Sequence, residues 1–261
     1  MPRICKLDHH GFLKVTGVDA ISFMQGYTTC DLSALSDATA LLGAVCTING
    51  RMLSSFIVIK QGQDLILRMD AGLVQKTITF LTKYIVFSKA ELEDISEQYV
   101  SYGVMNEGNR LTVEHNGGDF VINLGLRQEH WISSGVFPET SISIDAWLDA
   151  EIADGVAWVA VATSEMFLPQ MFNYHKQGAI DFDKGCYLGQ EIVVRMQHRG
   201  ELKRRLHRLA VDTPVKVGDE VPNGKIVAVS PASALAVLKN TSDDPVIVEL
   251  NEGVRVTAEP L

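Results

Sequence analysis

The sequence predicts an α+β protein of several lobes with a small β-barrel at its C-terminal end, and three observations carry that prediction. Short apolar runs recur along the chain between Gly, Asn and Asp turns, the pattern of antiparallel strands. Stretches with helical periodicity are few and interrupt the strands rather than alternating with them, so ferredoxin-like α/β units fit better than a long parallel sheet. After Gly200 the apolar runs become shorter and are punctuated by Pro214, Gly218-Asp219, Pro231 and Asp243-Asp244-Pro245, which points to a barrel. Residues 1–200 are therefore expected to form an α+β region and residues 201–261 the barrel.

Taken in order, residues 12–15 read as a strand and Asp19 as the cap of a helix over 20–25. Residues 41–47 and 53–59 read as strands around the turn at Asn49-Gly50, and Gln61-Gly62-Gln63-Asp64 as a hairpin turn into a strand over 65–69. Over 71–84, Leu73, Val74, Thr77, Ile78, Leu81 and Tyr84 fall at helical spacing, a core-facing stripe. Residues 99–105, 110–114 and 120–124 continue the antiparallel pattern, the last two joined by Asn116-Gly117-Gly118-Asp119. A helix over 144–153 and a buried strand over 156–162 follow, then a loop over 167–178. A short helix is expected to start near Leu188 or Gly189, and strands over 206–211, 224–229, 234–238 and 246–250 complete the chain.

With 261 residues, 46% hydrophobic and 21% charged, the chain can bury a sizeable core. A net charge of −9 argues against general nucleic-acid affinity. No apolar run approaches the roughly 18 residues that span a membrane, and the start lacks the apolar stretch of a signal peptide, so a cytoplasmic address is expected. Cys5, Cys30, Cys46 and Cys186 show no close pairing, so no metal site is read from their spacing.

The most informative segment is Lys184-Gly185-Cys186-Tyr187-Leu188-Gly189-Gln190-Glu191. It sets a thiol beside a cation, between two glycines, just ahead of a helix. A helix N-terminus and a neighbouring ammonium both favour thiolate, which makes Cys186 and Lys184 the candidate catalytic pair. Gly185 and Gly189 give the loop freedom to turn or to approach a ligand. With its flanks Phe182-Asp183, Arg195, Arg199-Gly200 and Lys203-Arg204-Arg205-Leu206, the octet resembles the signature of the YgfZ family, relatives of the glycine-cleavage aminomethyltransferase. Residues 23–32 (Phe-Met-Gln-Gly-Tyr-Thr-Thr-Cys-Asp-Leu), Asn49-Gly50-Arg51, and Phe167-Leu168-Pro169-Gln170 with Asn173 and Gly178 resemble further segments of that family. The likeness runs from about residue 12 to about residue 240.

That resemblance implies an aminomethyltransferase-like, multi-lobed fold that binds tetrahydrofolate or a derivative and supports assembly or repair of iron–sulfur enzymes, including tRNA-modifying ones. Iron–sulfur enzymes or cluster carriers are the implied partners. Gln170, Asn173, Gly185, Tyr187, Gly189, Gln190, Glu191, Arg195 and Arg199 are the implied cofactor contacts, with Gln170 and Asn173 placed to meet the pteridine edge. The rival reading is a folate-dependent one-carbon transferase. The family's aminomethyltransferase carries an acidic pair on the strand after its Gly-Gly turn, where Ser54 and Ser55 stand here; a hydroxyl cannot support a cationic transition state as a carboxylate does, which argues against transfer. A third reading is a cysteine hydrolase in which His175 or His198 serves Cys186 as base. Six cations between Arg195 and Arg208 form a basic strip, read as a solvated surface or as a site for the folate glutamate tail; with no interleaved aromatics, direct tRNA binding is not expected.

Overall fold

The computed structural model describes residues 3–134, 138–199, 202–239, 244–250 and 253–261; Gly200 and Asp243 lie outside the described residues, as does the side chain of Arg199. The first lobe-forming strands are β1 (Arg3–Lys6) and β2 (His10–Thr16), followed by α1 (Ala20–Gln25), β3 (Leu41–Cys46), β4 (Met52–Gln61), β5 (Asp64–Asp70), α2 (Ala71–Thr82) and β6 (Glu91–Asp94). The second run is β7 (Val100–Met105), β8 (Val113–Asn116), β9 (Asp119–Asn123), β10 (Gln128–Ile132), α3 (Ile144–Ala153) and α4 (Gln190–Arg199). The last is β11 (Arg205–Ala210), β12 (Glu220–Val221), β13 (Gly224–Val229), β14 (Ser233–Leu238), β15 (Val246–Glu249) and β16 (Arg255–Pro260).

These strands make three antiparallel sheets, ordered β3-β4-β5-β2-β6, β1-β7-β10-β9-β8 and β12-β13-β14-β11-β16-β15. The chain leaves the second sheet after β1, builds the first, and returns at β7, so the two N-terminal lobes are interlaced. Period-two alternation explains why the central strands read as unbroken apolar runs. Val45, Phe56, Val58, Leu65 and Leu67 face a core shared with α1 and α2, which supply Phe23, Met24, Val74 and Leu81. Their neighbours Leu42, Ala44, Ile57, Ile59 and Ile66 face the opposite way, into a central core with Phe120, Ile122 and Trp131 of the second sheet. The third sheet is two-sided as well. Ile226, Ala234, Ala236 and Leu238 line its own core, whereas Leu206, Val227, Leu235 and Val237 complete the central one.

Several expectations are corrected. Residues 156–162 form no strand, because their polar backbone groups find side chains instead of a ladder: Val159 N–H donates to Ser55 Oγ (2.8 Å), Ala160 N–H to Thr163 Oγ1 (3.0 Å), and the Ala157 carbonyl accepts from the Tyr174 hydroxyl (2.8 Å). The strand expected over 110–114 begins only at Val113, since Leu111 has φ 61° and turns the backbone out of the extended region. Asp19 does occupy the position before α1 but gives it no side-chain cap; its carboxylate accepts from Lys89 N–H at 2.7 Å and ties the helix to the approach to β6. The turns at Gly62 and Gly117 hold φ 64° and 69°, as their hairpins require.

Candidate functional site

The four sequence segments singled out above converge on one place. Asp181 N–H donates to the Thr29 carbonyl, and its carboxylate accepts from the amides of Asp183 and Lys184, both at 2.8 Å, fixing the entry into the octet. The Lys184 ammonium donates to the carbonyls of Gln25 (2.9 Å), Thr28 (2.8 Å) and Cys30 (2.7 Å), so the loop after α1 wraps round it. Leu188 N–H donates to Gly26 O at 3.0 Å. Gly189, at φ 85°, lies so close to the Thr47 carbonyl and Gly50 that a Cβ would not fit. Gln170 amide nitrogen donates to the Val193 carbonyl at 2.7 Å, pinning α4 to the 167–178 segment.

Cys186 is exposed at this junction, while Cys5, Cys30 and Cys46 are buried. Burial pushes the Cys30 thiol up to about 11 and the Cys46 thiol up to about 12. The supports expected for a Cys186 thiolate are differently placed. All three Lys184 donors are occupied by carbonyls, and burial holds its ammonium below the usual lysine range, with Cys30, Asp31 and Asp181 opposing that shift. α4 begins at Gln190, with the Gly189 carbonyl accepting from Val193 N–H at 3.3 Å, as expected of a start near Leu188 or Gly189; the thiol lies four residues ahead of its first residue. Gly185 is surrounded by open space, so nothing there requires a missing Cβ. Of the two histidines offered as a base, His175 has its Nδ1 buried without a hydrogen-bond partner and His198 lies with its ring 6.3 Å from that of Phe182.

The remaining sequence-selected residues surround the octet and hold it. Asn173, left-handed at φ 58°, donates to the Leu261 carbonyl at 3.0 Å. The Tyr187 ring lies under the Lys184 ammonium, 5.2 Å from its centroid. Glu191 and Arg195 pair at 4.0 Å along the exposed side of α4 and, with Gln190, Phe182, Val194 and His198, border a shallow surface groove. The side chain of Arg199 lies outside the described residues.

None of these residues lines the apolar cavity between the first two sheets. That cavity, of about 290 Å³, is walled by Leu42 and Ile57 of the first sheet, by Leu111 and Leu124 beside the second, and by the end of α3. Its polar residues are Arg110, Arg127, Glu151, Asp154, Trp158 and Gln177. Arg127, only 2% exposed, pairs through Nη2 with Asp154 (2.9 Å) and stacks 5.0 Å from the Trp147 ring. Its Nη1 stands 4.0 Å from the Glu151 carboxylate, too far to hydrogen-bond, and neither Nη1 nor Nε has a hydrogen-bond partner. Glu151 accepts from the Trp158 indole at 3.0 Å, and Gln177 Oε1 is buried without a donor. Behind Trp158, the Arg68 guanidinium lies 4.1 Å over the ring, held by a buried ion pair with Glu129 that also accepts from the Trp131 indole (2.9 Å). One sequence signal could have found this site: Glu151 follows Trp147 by four residues on the buried stripe of α3, where a carboxylate needs a reason.

Ser54 and Ser55 are both buried and both structural in their contacts. Ser54 accepts from the Thr77 hydroxyl at 3.0 Å, and Ser55 from Val159 N–H. Among the described residues no cluster of His, Cys, Asp and Glu is arranged to hold a metal, and no helix is long and apolar enough to cross a membrane.

The tRNA-modifying protein YgfZ of Hamiltonella defensa subsp. Acyrthosiphon pisum (strain 5AT) is 28% identical over 230 residues, covering 78% of this chain and 68% of that protein. The protein of the same name from Pectobacterium carotovorum subsp. carotovorum (strain PC1) is 26% identical over 303 aligned positions, covering 100% of this chain and 91% of its own. The chain is a relative of the YgfZ proteins. No family model matches it. Among solved structures, the glycine cleavage system aminomethyltransferase T from Bartonella henselae superposes with a TM-score of 0.67 over 99% of this chain and 84% of that one. At 14% identity this establishes the shared fold, an aminomethyltransferase-like α+β architecture, in a YgfZ-like chain.

Proposed function

We propose that this YgfZ-like chain is a tetrahydrofolate-binding accessory protein that supports assembly or repair of iron–sulfur enzymes, tRNA-modifying ones among them, in the cytoplasm. The observation that carries the ligand half is the cavity between the sheets, with a buried guanidinium whose Nε and Nη1 lack partners beside a buried carboxylate. Its size, at the lower end of the roughly 300–1,000 Å³ of ligand pockets, suits a bicyclic head group. The link to tRNA modification is supported by the names of the relatives, and a docking client by Cys186, the exposed thiol of the octet. Gln190 and Glu191 open α4 there, and Gly189, at φ 85°, sets the close turn of the loop. Transfer chemistry is disfavoured by Ser54 and Ser55, whose hydroxyls are engaged with Thr77 and Val159.

Anaerobic titration with tetrahydrofolate, followed by addition of aminomethyl-loaded glycine-cleavage carrier protein, tests both halves. Saturable binding without turnover is expected. Turnover would make the chain a transferase, and absence of binding would remove the folate. In cells, Cys186→Ser is expected to abolish support of iron–sulfur enzymes while leaving folate affinity unchanged, because serine supplies no thiolate near neutral pH.

A further inference from the structure

We propose that the groove between the 47–51 turn and the third sheet is a site for a phosphate monoester, gripped by the guanidinium groups of Arg51 and Arg204. The basic strip read from the sequence is divided in the fold. Arg195 sits against Glu191, Arg208 pairs with Glu259 at 3.1 Å, and Arg204 and Arg205 border separate grooves. The Arg204 groove, of about 520 Å³, falls within the roughly 300–1,000 Å³ of small-molecule sites. It shares no lining residue with the cavity between the first two sheets.

Arg51 reaches the groove already oriented. Its carbonyl accepts from Thr47 N–H at 2.8 Å, which closes the turn, and its guanidinium donates through Nη1 to the Met166 carbonyl. Met52 N–H donates to Phe167 O at 2.9 Å and Glu165 N–H to Met52 O at 2.7 Å, so the segment that orients the guanidinium is itself fixed to β4. Arg204 arrives from the exposed link into β11, and Lys225 from β13, where the Gly218 carbonyl holds its ammonium at 2.9 Å. The two carboxylates that border the groove are already matched. Glu165 pairs with Lys76 at 2.7 Å, and Glu220 with Lys225 at 2.5 Å. Among the described residues neither Arg51 nor Arg204 forms an ion pair, so two positive charges are left over in a chain of net charge −9. A phosphate monoester carries about −1.5 to −2 near neutral pH and matches them, whereas a carboxylate supplies only one charge. Guanidinium groups take phosphate oxygens in paired hydrogen bonds, and the Asn223 side chain at the same groove adds a neutral donor. Met166 and Val221 give the organic part of the ester an apolar wall.

Calorimetric titration of the intact chain with adenosine 5′-monophosphate, inorganic phosphate and adenosine, at two salt concentrations, tests the site. The monophosphate should bind more tightly than inorganic phosphate, both more weakly at the higher salt, and adenosine should not bind. Arg51→Gln and Arg204→Gln should each weaken the monophosphate about five-fold, the upper end for an exposed ion pair, and Arg51→Lys, which keeps the charge but loses the fork, should weaken it less. Arg208→Gln, whose parent guanidinium pairs with Glu259 elsewhere, should change nothing. Arg204 lies on an exposed link, so its variant keeps the fold and decides the matter even where Arg51→Gln unfolds. Absence of binding by either phosphate up to about 10 mM, or binding that Arg204→Gln leaves unchanged, overturns the site. Adenosine binding as well as its monophosphate, or inorganic phosphate binding more tightly than the ester, overturns the ligand class. Bulk tRNA that binds through Arg204 while the monophosphate does not would assign the groove to RNA and overturn the proposal.

Discussion

Replacing Lys184 by Met separates two roles that the sequence alone merges. In the fold its ammonium, 9% exposed, joins three carbonyls of the 25–30 loop at 2.7–2.9 Å. Methionine fills much the same volume but takes the ammonium donor from three carbonyls; Gln25 O is only part-buried and Cys30 O keeps a long bond from the Thr28 hydroxyl (3.4 Å), and each acceptor left unpaired costs about 1–3 kcal/mol. Release from the desolvation that lowers the Lys184 pKa offsets part of this, so the net loss should be about 3 kcal/mol, the low end of what a disrupted buried charge costs. For a chain of this length that corresponds to a fall in Tm of roughly 6–12 °C. Thermal unfolding followed by circular dichroism measures it, and limited proteolysis should show new cleavage in residues 25–31. If Lys184→Met melts within about a degree of the parent while the pH profile of Cys186 alkylation moves, the lysine serves the thiol and not the loop, and the structural reasoning fails.

The other expectations follow from burial and backbone geometry. Cys186 should alkylate before Cys5, Cys30 and Cys46 in the native protein, because those three are buried and burial raises their pKa; mass-spectrometric mapping in which Cys186 labels last contradicts this. Burial first, then the Arg68 guanidinium, holds His9 down to about 4 and His10 well below its usual range. A depressed folded-state pKa contributes stability that is present above the unfolded value of about 6.5 and is lost as pH falls towards 4, so the urea midpoint should drop across that window. A midpoint flat from pH 7 to pH 4 excludes the two histidines as the cause. Gly189→Ala should cost upwards of about 1 kcal/mol, since it combines a positive φ with a collision at the Thr47 carbonyl; unchanged thermal unfolding would mean that the contact between the octet and the 47–50 turn is loose.

Legibility differed between the two places. The octet and its three partner segments were visible because residue types there are dictated locally: Gly189 by its φ and its contact with the 47–50 turn, Gly50 and Gly178 by φ values of 70° and 74°. The strands from β2 to β5 and the helices α2 and α3 were readable from periodicity, since each buries a continuous face. β6, with the sequence Glu-Leu-Glu-Asp, was not, because an exposed edge strand carries no apolar alternation. The cavity residues were hidden for a different reason. Arg110, Arg127, Glu151 and Gln177 come from three separate connections and a helix, so only Glu151, on the buried stripe of α3, carries a local signal, and the interlacing of two sheets brings them together.

The octet and the cavity also stand at opposite ends of the same strand. β3 places Leu42 on the cavity wall, and the chain just beyond it places Thr47 against Gly189. Five residues of extended chain separate these points by roughly 17 Å. The cavity wall at Leu42 and the contact of the octet at Thr47 are therefore separate points on the first sheet. Ser54 and Ser55 lie on β4 opposite Val45 and Ala44, with their hydroxyls engaged by Thr77 and Val159. In the aminomethyltransferase-like reading the ligand and its acceptor would have to meet at one point. Here the cavity and the exposed thiol are two separate points, an arrangement that, under the proposed accessory role, lets a client dock at the octet while a folate occupies the cavity.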